Sequence, residues 1–572
     1  MSLRSITIVP AAAACALATV AGAQQFVQQT TTLFPSATNS DYSNQLTSVD
    51  IDGDGDLDIV WANGQGYSAQ GVALKPRIWV NRINEATAKF VDETDTRAPG
   101  VTGWFRGVEA GDCDGDGDWD LILAQDFNKQ PLLLINDGSG NFANETAARL
   151  PALTMSSARA QFADIDNDGD LDLFFCNSGA TNRFGTGQPR LFLNDGTGHY
   201  TNVTATNLPA GNISDQQDCL FADVDGDLDL DIQVGSRAGA SKLWLNDGTG
   251  KFTATTFPGG GNSYSYDFGD IDGDGDLDLL SIQGGTDLLL QNNMPGLWTD
   301  ISSEISPNAA IDDNDSKFFD YDNDGDLDYI VASLGSSERV FRNNGGVASD
   351  PGALFTQATG IMPSVSDSSL DIEVADYNGD GRLDVVTAQG ESGVFTNKIY
   401  INTTGPVDTI PPKIVKTESV SDTVLVGGTA GPFAVRTIVY DGHTSDRGFY
   451  PGPIALHYSV DGGADQSVAM KWVGNSEWRG VIPVQETCGT VSYFVVAADR
   501  AGNVATGPTK NFNISPGLIT GDLNGDGLVD GADLGIMLAG WGPCPAGCCT
   551  GDLNGDGFVD GADLGVLLAN WG

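Results

Sequence analysis

The chain reads as a mainly β protein: a closed ring of seven β-propeller blades, then a second all-β domain, then a small helical module. Three observations carry that expectation. A run of the form D-x-D-x-D-G-D-x-D recurs seven times, in variants starting at Asp50, Asp112, Asp164, Asp223, Asp270, Asp320 and Asp376. Short apolar stretches with strand character follow each copy, several of them ending in Asn-Asp-Gly turns. A longer acidic loop then occurs twice near the C-terminus, from Gly521 and from Gly551. One acidic run is often just a solvated loop, but repetition at intervals of roughly 50 residues marks propellers, solenoids or arrays.

Residues 1–23 have the form of an export signal. Arg4 precedes an apolar stretch rich in Ala and Val, and Ala21-Gly-Ala23 is a cleavage pattern before Gln24. No later apolar run approaches the ~20 residues of a membrane-spanning helix. The expectation is a secreted or cell-surface protein without membrane insertion. A net charge of −49 argues against nucleic acid and anionic membranes as partners. Disorder is not implied, since 40% of residues are hydrophobic, including 10 Trp and 25 Phe.

The acidic runs have the spacing of a cation loop. Oxygens at positions 1, 3 and 5, a carbonyl at 7 and a carboxylate further on converge on one hard ion, with glycine at 6 for the sharp turn. In the first loop these are Asp50, Asp52, Asp54, the Asp56 carbonyl and Asp58, with Gly55 at the turn. The second supplies Asp112, Asp114, Asp116 and Asp120, and the third Asp164, Asp166, Asp168 and Asp172. The fifth supplies Asp270, Asp272, Asp274 and Asp278, and the sixth Asp320, Asp322, Asp324 and Asp328. The seventh is softer: Asp376, Asn378, Asp380 and Asp384, with Arg382 at position 7 giving only its carbonyl. The fourth, Asp223–Asp231, aligns with the third only if two residues are missing after Asp225, including the position-5 carboxylate. It is therefore expected to be the weakest site or empty, leaving about six Ca2+ sites in the ring.

Asp and Gly are also ordinary turn residues. Electrostatics favours the metal reading: two carboxylates ~4 Å apart repel by about 4 kcal/mol at an effective dielectric near 20. Several converging on one point would splay the loop without a cation. Many flexible oxygen ligands favour Ca2+ over Mg2+. His199, His443 and His457 all lie away from the loops, which argues against imidazole-bound metals.

Each unit holds four strands: one before the loop, one after it such as Leu121-Ile-Leu-Ala124, one ending in Asn-Asp-Gly, and a last one such as Lys251-Phe-Thr-Ala-Thr-Thr256. The seventh unit stops after Lys398-Ile-Tyr-Ile-Asn402 without its fourth strand. Phe26-Val-Gln-Gln-Thr at the other end of the chain resembles Phe142-Ala-Asn-Glu-Thr146 and fills the gap, closing the ring and hiding an edge.

On these motifs, residues 24–403 resemble FG-GAP/VCBS repeats, the type found in integrin alpha-subunit propellers and in many secreted bacterial proteins. The resemblance implies a propeller whose Asp loops bind Ca2+. It does not choose among adhesion, lectin and polysaccharide-lyase functions. Residues 404–515, opened by Pro411-Pro412, alternate as strands, and Tyr493-Phe-Val-Val-Ala-Ala-Asp-Arg-Ala-Gly-Asn503 resembles part of an immunoglobulin-like or fibronectin-type sandwich. Trp472 and Trp478 are expected in its core or on its sheet surface.

Residues 516–572 carry two loops of EF-hand length. Asp522, Asn524, Asp526, the Leu528 carbonyl, Asp530 and Asp533 take positions 1, 3, 5, 7, 9 and 12. Asp552, Asn554, Asp556, the Phe558 carbonyl, Asp560 and Asp563 repeat them, for two further Ca2+ sites. The pair resembles a type I dockerin, which implies a cohesin-like receptor. Gly531-Ala532 and Gly561-Ala562 stand where dockerins carry Ser/Thr-type recognition residues, so a surface-attachment tag is the alternative. Leu534, Ile536, Met537, Leu538 and their counterparts are expected to pack the two helices together. Cys113, Cys176, Cys219 and Cys488 are expected as buried free thiols, and one disulfide among Cys544, Cys548 and Cys549.

These readings point to a non-catalytic, secreted Ca2+-binding protein that presents its propeller to an extracellular glycan or protein and docks through its tail. The alternatives are a propeller-type polysaccharide lyase or hydrolase, with Arg106, Arg159 or Lys317 as basic candidates, and a structural cell-surface scaffold. No G-x-S-x-G nucleophile pattern occurs.

Overall fold

A computed structural model describes residues 24–572 except 86, 258, 294–297, 346–352, 367, 391–392, 426–428, 442–452, 516–520, 525–527 and 545–548. The export signal, His443, Asp526 and Cys548 therefore lie outside the described residues.

The protein is mainly β and propeller-like. Its seven repeats form seven sheets, six of four strands and one of five. The first strands are Ser43–Val49, Phe105–Gly111, Ser157–Ala163, Gln216–Ala222, Ser263–Gly269, Asp313–Phe319 and Ser369–Ala375. They pack side by side in chain order, and the last returns to the first. Their residues are almost all buried, because each sheet is covered on both faces by its neighbours. One apolar cluster, for example, joins Val49, Val60 and Ile78 of the first sheet to Val108, Leu121 and Leu134 of the second.

In every unit the second strand begins on the position-9 aspartate of the acidic loop, as in Asp58–Asn63, Asp120–Gln125 and Asp231–Ser236. The fourth loop corrects the sequence alignment. Ala222 pairs with Asp231 as Val49 pairs with Asp58 and Gly111 with Asp120, so nothing is deleted. Asp223, Asp225, Asp227 and Asp231 fill positions 1, 3, 5 and 9. The anomaly is Leu228 at the turn position, where the backbone has φ +72 and the other loops use glycine. Its side chain is buried in a cluster that includes Ile438 and Tyr440 of the second domain, a packing role glycine cannot fill.

Closure follows the sequence expectation. Phe26–Gln28 adds to the seventh sheet antiparallel to Lys398–Asn402, with Phe26 opposite Asn402. Phe26 is fully buried beside Phe319.

The asparagine that ends the third strand also locks the ring. Asn136 Nδ2 donates to the carbonyl of Ile51 in the preceding loop at 2.9 Å, Asn194 to Cys113 at 2.7 Å, and Asn246 to Ile165 at 2.8 Å. Asn292, Asn343 and Asn81 repeat this toward Val224, Ile271 and Tyr377. The seventh junction is bridged by Gln25, whose Nε2 donates to the Tyr321 carbonyl at 3.0 Å.

The second domain has two sheets. One holds Lys413–Thr417, Phe433–Tyr440, Glu477–Ile482 and Lys471–Gly474, and the other is built on the pair Ile454–Val460 and Gly489–Ala498. Val435, Leu456, Tyr493 and Phe512 lie in the core between them, with Trp478 packed against it. Trp472 lies on the sheet surface, one of the two expected places, and packs there on a cluster of the ring with its indole 6.2 Å from that of Trp119.

Two helices, Gly531–Ala539 and Gly561–Ala569, form the tail. Asp530 and Asp560 cap them, each in a capping box with Asp533 or Asp563. Met537 and Leu567 are fully buried between them, but Ile536, Leu538, Trp541, Leu568 and Trp571 are exposed. The expectation that this apolar text mainly packs the helices is therefore corrected. Apolar residues surround each short helix, and only one stripe can face the partner. Cys544 and Cys549 form a disulfide with Cα atoms 5.7 Å apart. Cys113, Cys176 and Cys219 are buried and free, whereas Cys488 is disulfide-bonded, a correction. Such pairing depends on a tertiary approach that sequence spacing does not encode.

Candidate metal centres

Four of the loops fold back on their first aspartate. Asp50 Oδ1 accepts from the backbone N–H groups of Gly53 (2.8 Å) and Asp54 (3.1 Å), and Oδ2 from Gly55 (2.9 Å). Asp320, Asp376 and Asp223 brace their turns similarly, with Leu228 N–H donating to Asp223 Oδ2 at 2.9 Å. The position-9 carboxylate joins the two strands. Asp58 accepts from Ile51 N–H at 3.1 Å and from Asn81 N–H at 2.7 Å. Asp120, Asp172, Asp231, Asp278, Asp328 and Asp384 accept from the equivalent asparagine N–H.

The structure brings the predicted ligands together. Asp50, Asp52 and Asp58 offer oxygens within 4.8 Å of one another, as do Asp112, Asp114 and Asp116, and Asp164, Asp166 and Asp172. So do Asp270, Asp272 and Asp274, and the fourth-loop group Asp223, Asp225 and Asp227. The last of these overturns the expectation that the fourth loop lacks its position-5 carboxylate.

Several of these oxygens are buried without a hydrogen-bond partner: Oδ1 of Asp52, Asp112, Asp114, Asp166, Asp225, Asp270 and Asp322, and both oxygens of Asp164. An unsatisfied buried carboxylate oxygen is costly. Orphans fall at positions 1 and 3 of six loops, and Asp56 Oδ1 adds one at position 7 of the first. Burial, with repulsion from Asp54, Asp50 and Asp52, pushes the Asp56 carboxyl up to about 7. Burial raises Asp58 to about 8 and Asp328 to about 9 against the backbone N–H groups that favour ionisation. An all-oxygen, electrostatically frustrated donor set fits a hard divalent cation.

Basic side chains around the loops were not legible in the motif. Arg97 lies 2.8 Å from Asp52, Arg149 3.1 Å from Asp114, and Arg342 2.8 Å from Asp322. Others come from the second domain. Lys413 lies 2.7 Å from Asp270, Lys471 3.1 Å from Asp112, and Arg436 2.8 Å from Asp229. Backbone contacts accompany them: Asp164 N–H donates to the Val473 carbonyl at 2.7 Å, and Asp408 N–H to Gly381 at 2.8 Å. Arg500 donates to the Gly55 carbonyl at 2.8 Å. The second domain and its linker therefore cover the face of the ring that carries the acidic loops. Asp270, Asp320 and Asp376 line a cavity of about 180 Å3 beneath it, with Lys413, Tyr440 and Arg500.

The tail loops share this local design. Asp552 accepts from Gly555, Asp556 and Gly557 N–H as Asp50 does from its own turn. Asn554 and Asp556 accept from Asp556 and Phe558 N–H. Asp533 and Asp563 are fully buried, and each takes three backbone N–H groups, so position 12 also locks the loop to its helix. Asp522 is also buried beside Asn524.

The FG-GAP-like repeat profile matches residues 50–123, 112–175, 223–281, 270–331 and 320–387, just over half of the chain. The chain belongs to the FG-GAP-like repeat family. No curated protein matches it. Solved structures with which this FG-GAP-like protein shares similarity include an Agrocybe aegerita lectin, at 17% identity and TM-score 0.37, over 66% of this chain and 93% of the lectin. BBS1N in complex with ARL6DN is 11% identical with TM-score 0.42, over 67% and 99% of the two chains. The V. cholerae biofilm matrix protein Bap1 is 12% identical with TM-score 0.32, over 84% and 76%. At these identities and scores the likenesses say nothing of what this FG-GAP-like protein binds.

Proposed function

We propose that the chain is a secreted, non-catalytic Ca2+-binding recognition protein: a seven-bladed propeller, an immunoglobulin-like cap and a dockerin-like docking tail. The observation that carries this is the set of buried, unpartnered aspartate oxygens repeated around the ring. Seven sheets joined in cyclic order support the blade count. Two sheets around one core support the sandwich reading, and paired capped helices after acidic loops support the tail.

Recognition, rather than catalysis, is favoured by where the reactive groups are spent. The repeated carboxylates brace loops and face the cation positions. Arg106 is ion-paired with Asp126, and Arg159 with Asp218 and Asp371. Guanidinium groups stay protonated, so neither suits a general base. Lys317 is buried in the same ionic centre, near Asp218. Docking through the tail is supported by exposed Leu538 and Leu568 on the two helices and exposed Trp541 and Trp571 just after them, the same pair in each repeat.

A glycan and protein array probed with the full chain, with and without millimolar Ca2+, tests the reading. Calcium-dependent binding is expected, with Trp541→Ala/Trp571→Ala losing a cohesin-type receptor but not the propeller ligand. Release of shortened oligosaccharides from a bound polysaccharide would replace recognition with catalysis.

A further inference from the structure

The end of the ring opposite the acidic loops carries a different chemistry. The loops follow the ends of the first strands, whereas Asn44, Gln45, Arg106 and Arg159 stand near their beginnings. At that mouth is a cavity of about 70 Å3, lined by Arg106, Arg159, Arg183 and Arg237 together with amide side chains and Tyr264. No carboxylate lines it among the described residues. For a chain with 28 basic and 77 acidic residues, four converging arginines mark a special place.

Aromatic rings interleave with these guanidiniums. Arg183 lies over Tyr67 at 5.2 Å and Phe184 at 4.7 Å, and Arg237 over Phe184 at 5.0 Å and Tyr264 at 5.5 Å. Tyr67 and Phe184 meet at 4.9 Å, so a loop of the first sheet reaches across the second to one of the third. Arg106 donates to the Gly66 carbonyl and fixes the base of that arch. The acids that pair with the arginines lie behind them: Asp126, Asp215, Asp218 and Asp371 have side chains no more than 5% exposed. Solvent at the mouth thus meets guanidinium, amide and aromatic surface.

We propose that this mouth binds the carboxylate of a uronate-bearing polysaccharide. Guanidiniums suit a planar carboxylate. The cavity is too small for a whole ligand, so it takes an acidic group. The sugar ring stays on the rim, where Tyr67 is exposed and offers an apolar face. An acidic peptide would use the charges but not the flat rim. The assignment rests on the recognition reading above and gives it a site and a ligand class.

The test is calorimetry on the full chain in calcium-containing buffer, using oligosaccharides of hyaluronan, polygalacturonate and alginate and their carboxyl-reduced counterparts. At least one acidic oligosaccharide is expected to bind, with its reduced counterpart weaker by about tenfold or more. Arg183→Gln and Arg237→Gln should each weaken binding about tenfold. Arg237→Gln, which leaves the buried Asp215 without its ion pair, should also lower the melting midpoint, so binding is measured well below that midpoint. Lack of binding to all three sugars, indifference to the two substitutions, or equal affinity for an oligoglutamate would overturn the assignment. If the array described above remains positive in that event, the recognition reading survives and only this site fails.

Discussion

Removing calcium is expected to lower the thermal midpoint of the full chain by roughly 10 °C. At ten times its dissociation constant, each bound ion adds about 1.4 kcal/mol to the folded state. The loops are not peripheral to the fold. Each joins the first two strands of a sheet, and its position-2 carbonyl accepts the side-chain amide that clasps the next sheet, an asparagine in six loops and Gln25 in the sixth. Without an ion, unpartnered buried oxygens of Asp164 and Asp166 crowd one another. Several sites acting together on a body of this size account for the shift. Differential scanning calorimetry in Ca2+ and in chelator reads it directly.

Replacing Phe26 by alanine should cost about 4 kcal/mol, within the range for truncating a buried aromatic side chain. The closing strand, Phe26–Gln28, has three residues, and Phe26 is the only one fully buried. It packs in a cluster with Phe319, Val385 and Tyr400 that spans the sixth and seventh sheets. Its loss would free the strand and expose the edge of Lys398–Asn402. Hydrogen exchange should accelerate first at Lys398–Asn402. Wild-type protection there, with an unchanged midpoint, would mean the ring does not depend on this closure. Gln25→Ala makes a milder control, because it removes one hydrogen bond to Tyr321 and should cost about 1 kcal/mol.

Much of this architecture was legible because the repeat writes the same physics many times. The Asp spacing announced the loops, and the text around Phe26 announced the closing strand. The fourth loop is harder to read in sequence because it has no glycine at position 6. Leu228 takes that conformation instead and buries its side chain in a cluster shared with the second domain. Contacts between distant parts of the chain were out of reach. Lys413, Arg436 and Lys471 look like scattered surface cations in sequence, yet they meet three different loops. The arginine mouth was hidden for the same reason: Arg106 and Arg159 were legible only as isolated bases, and Arg183 and Arg237 lie in unrelated connections. In the tail, periodicity showed apolar helices but not that Trp541 and Trp571 would remain outside.

Anomalous scattering from crystals grown in calcium tests the central claim most directly. Density is expected within the carboxylate groups led by Asp50, Asp112, Asp164 and Asp270, and also in the fourth loop at Asp223, Asp225 and Asp227. Loops that keep this geometry with no ion at any of these positions, at saturating calcium, would contradict the account.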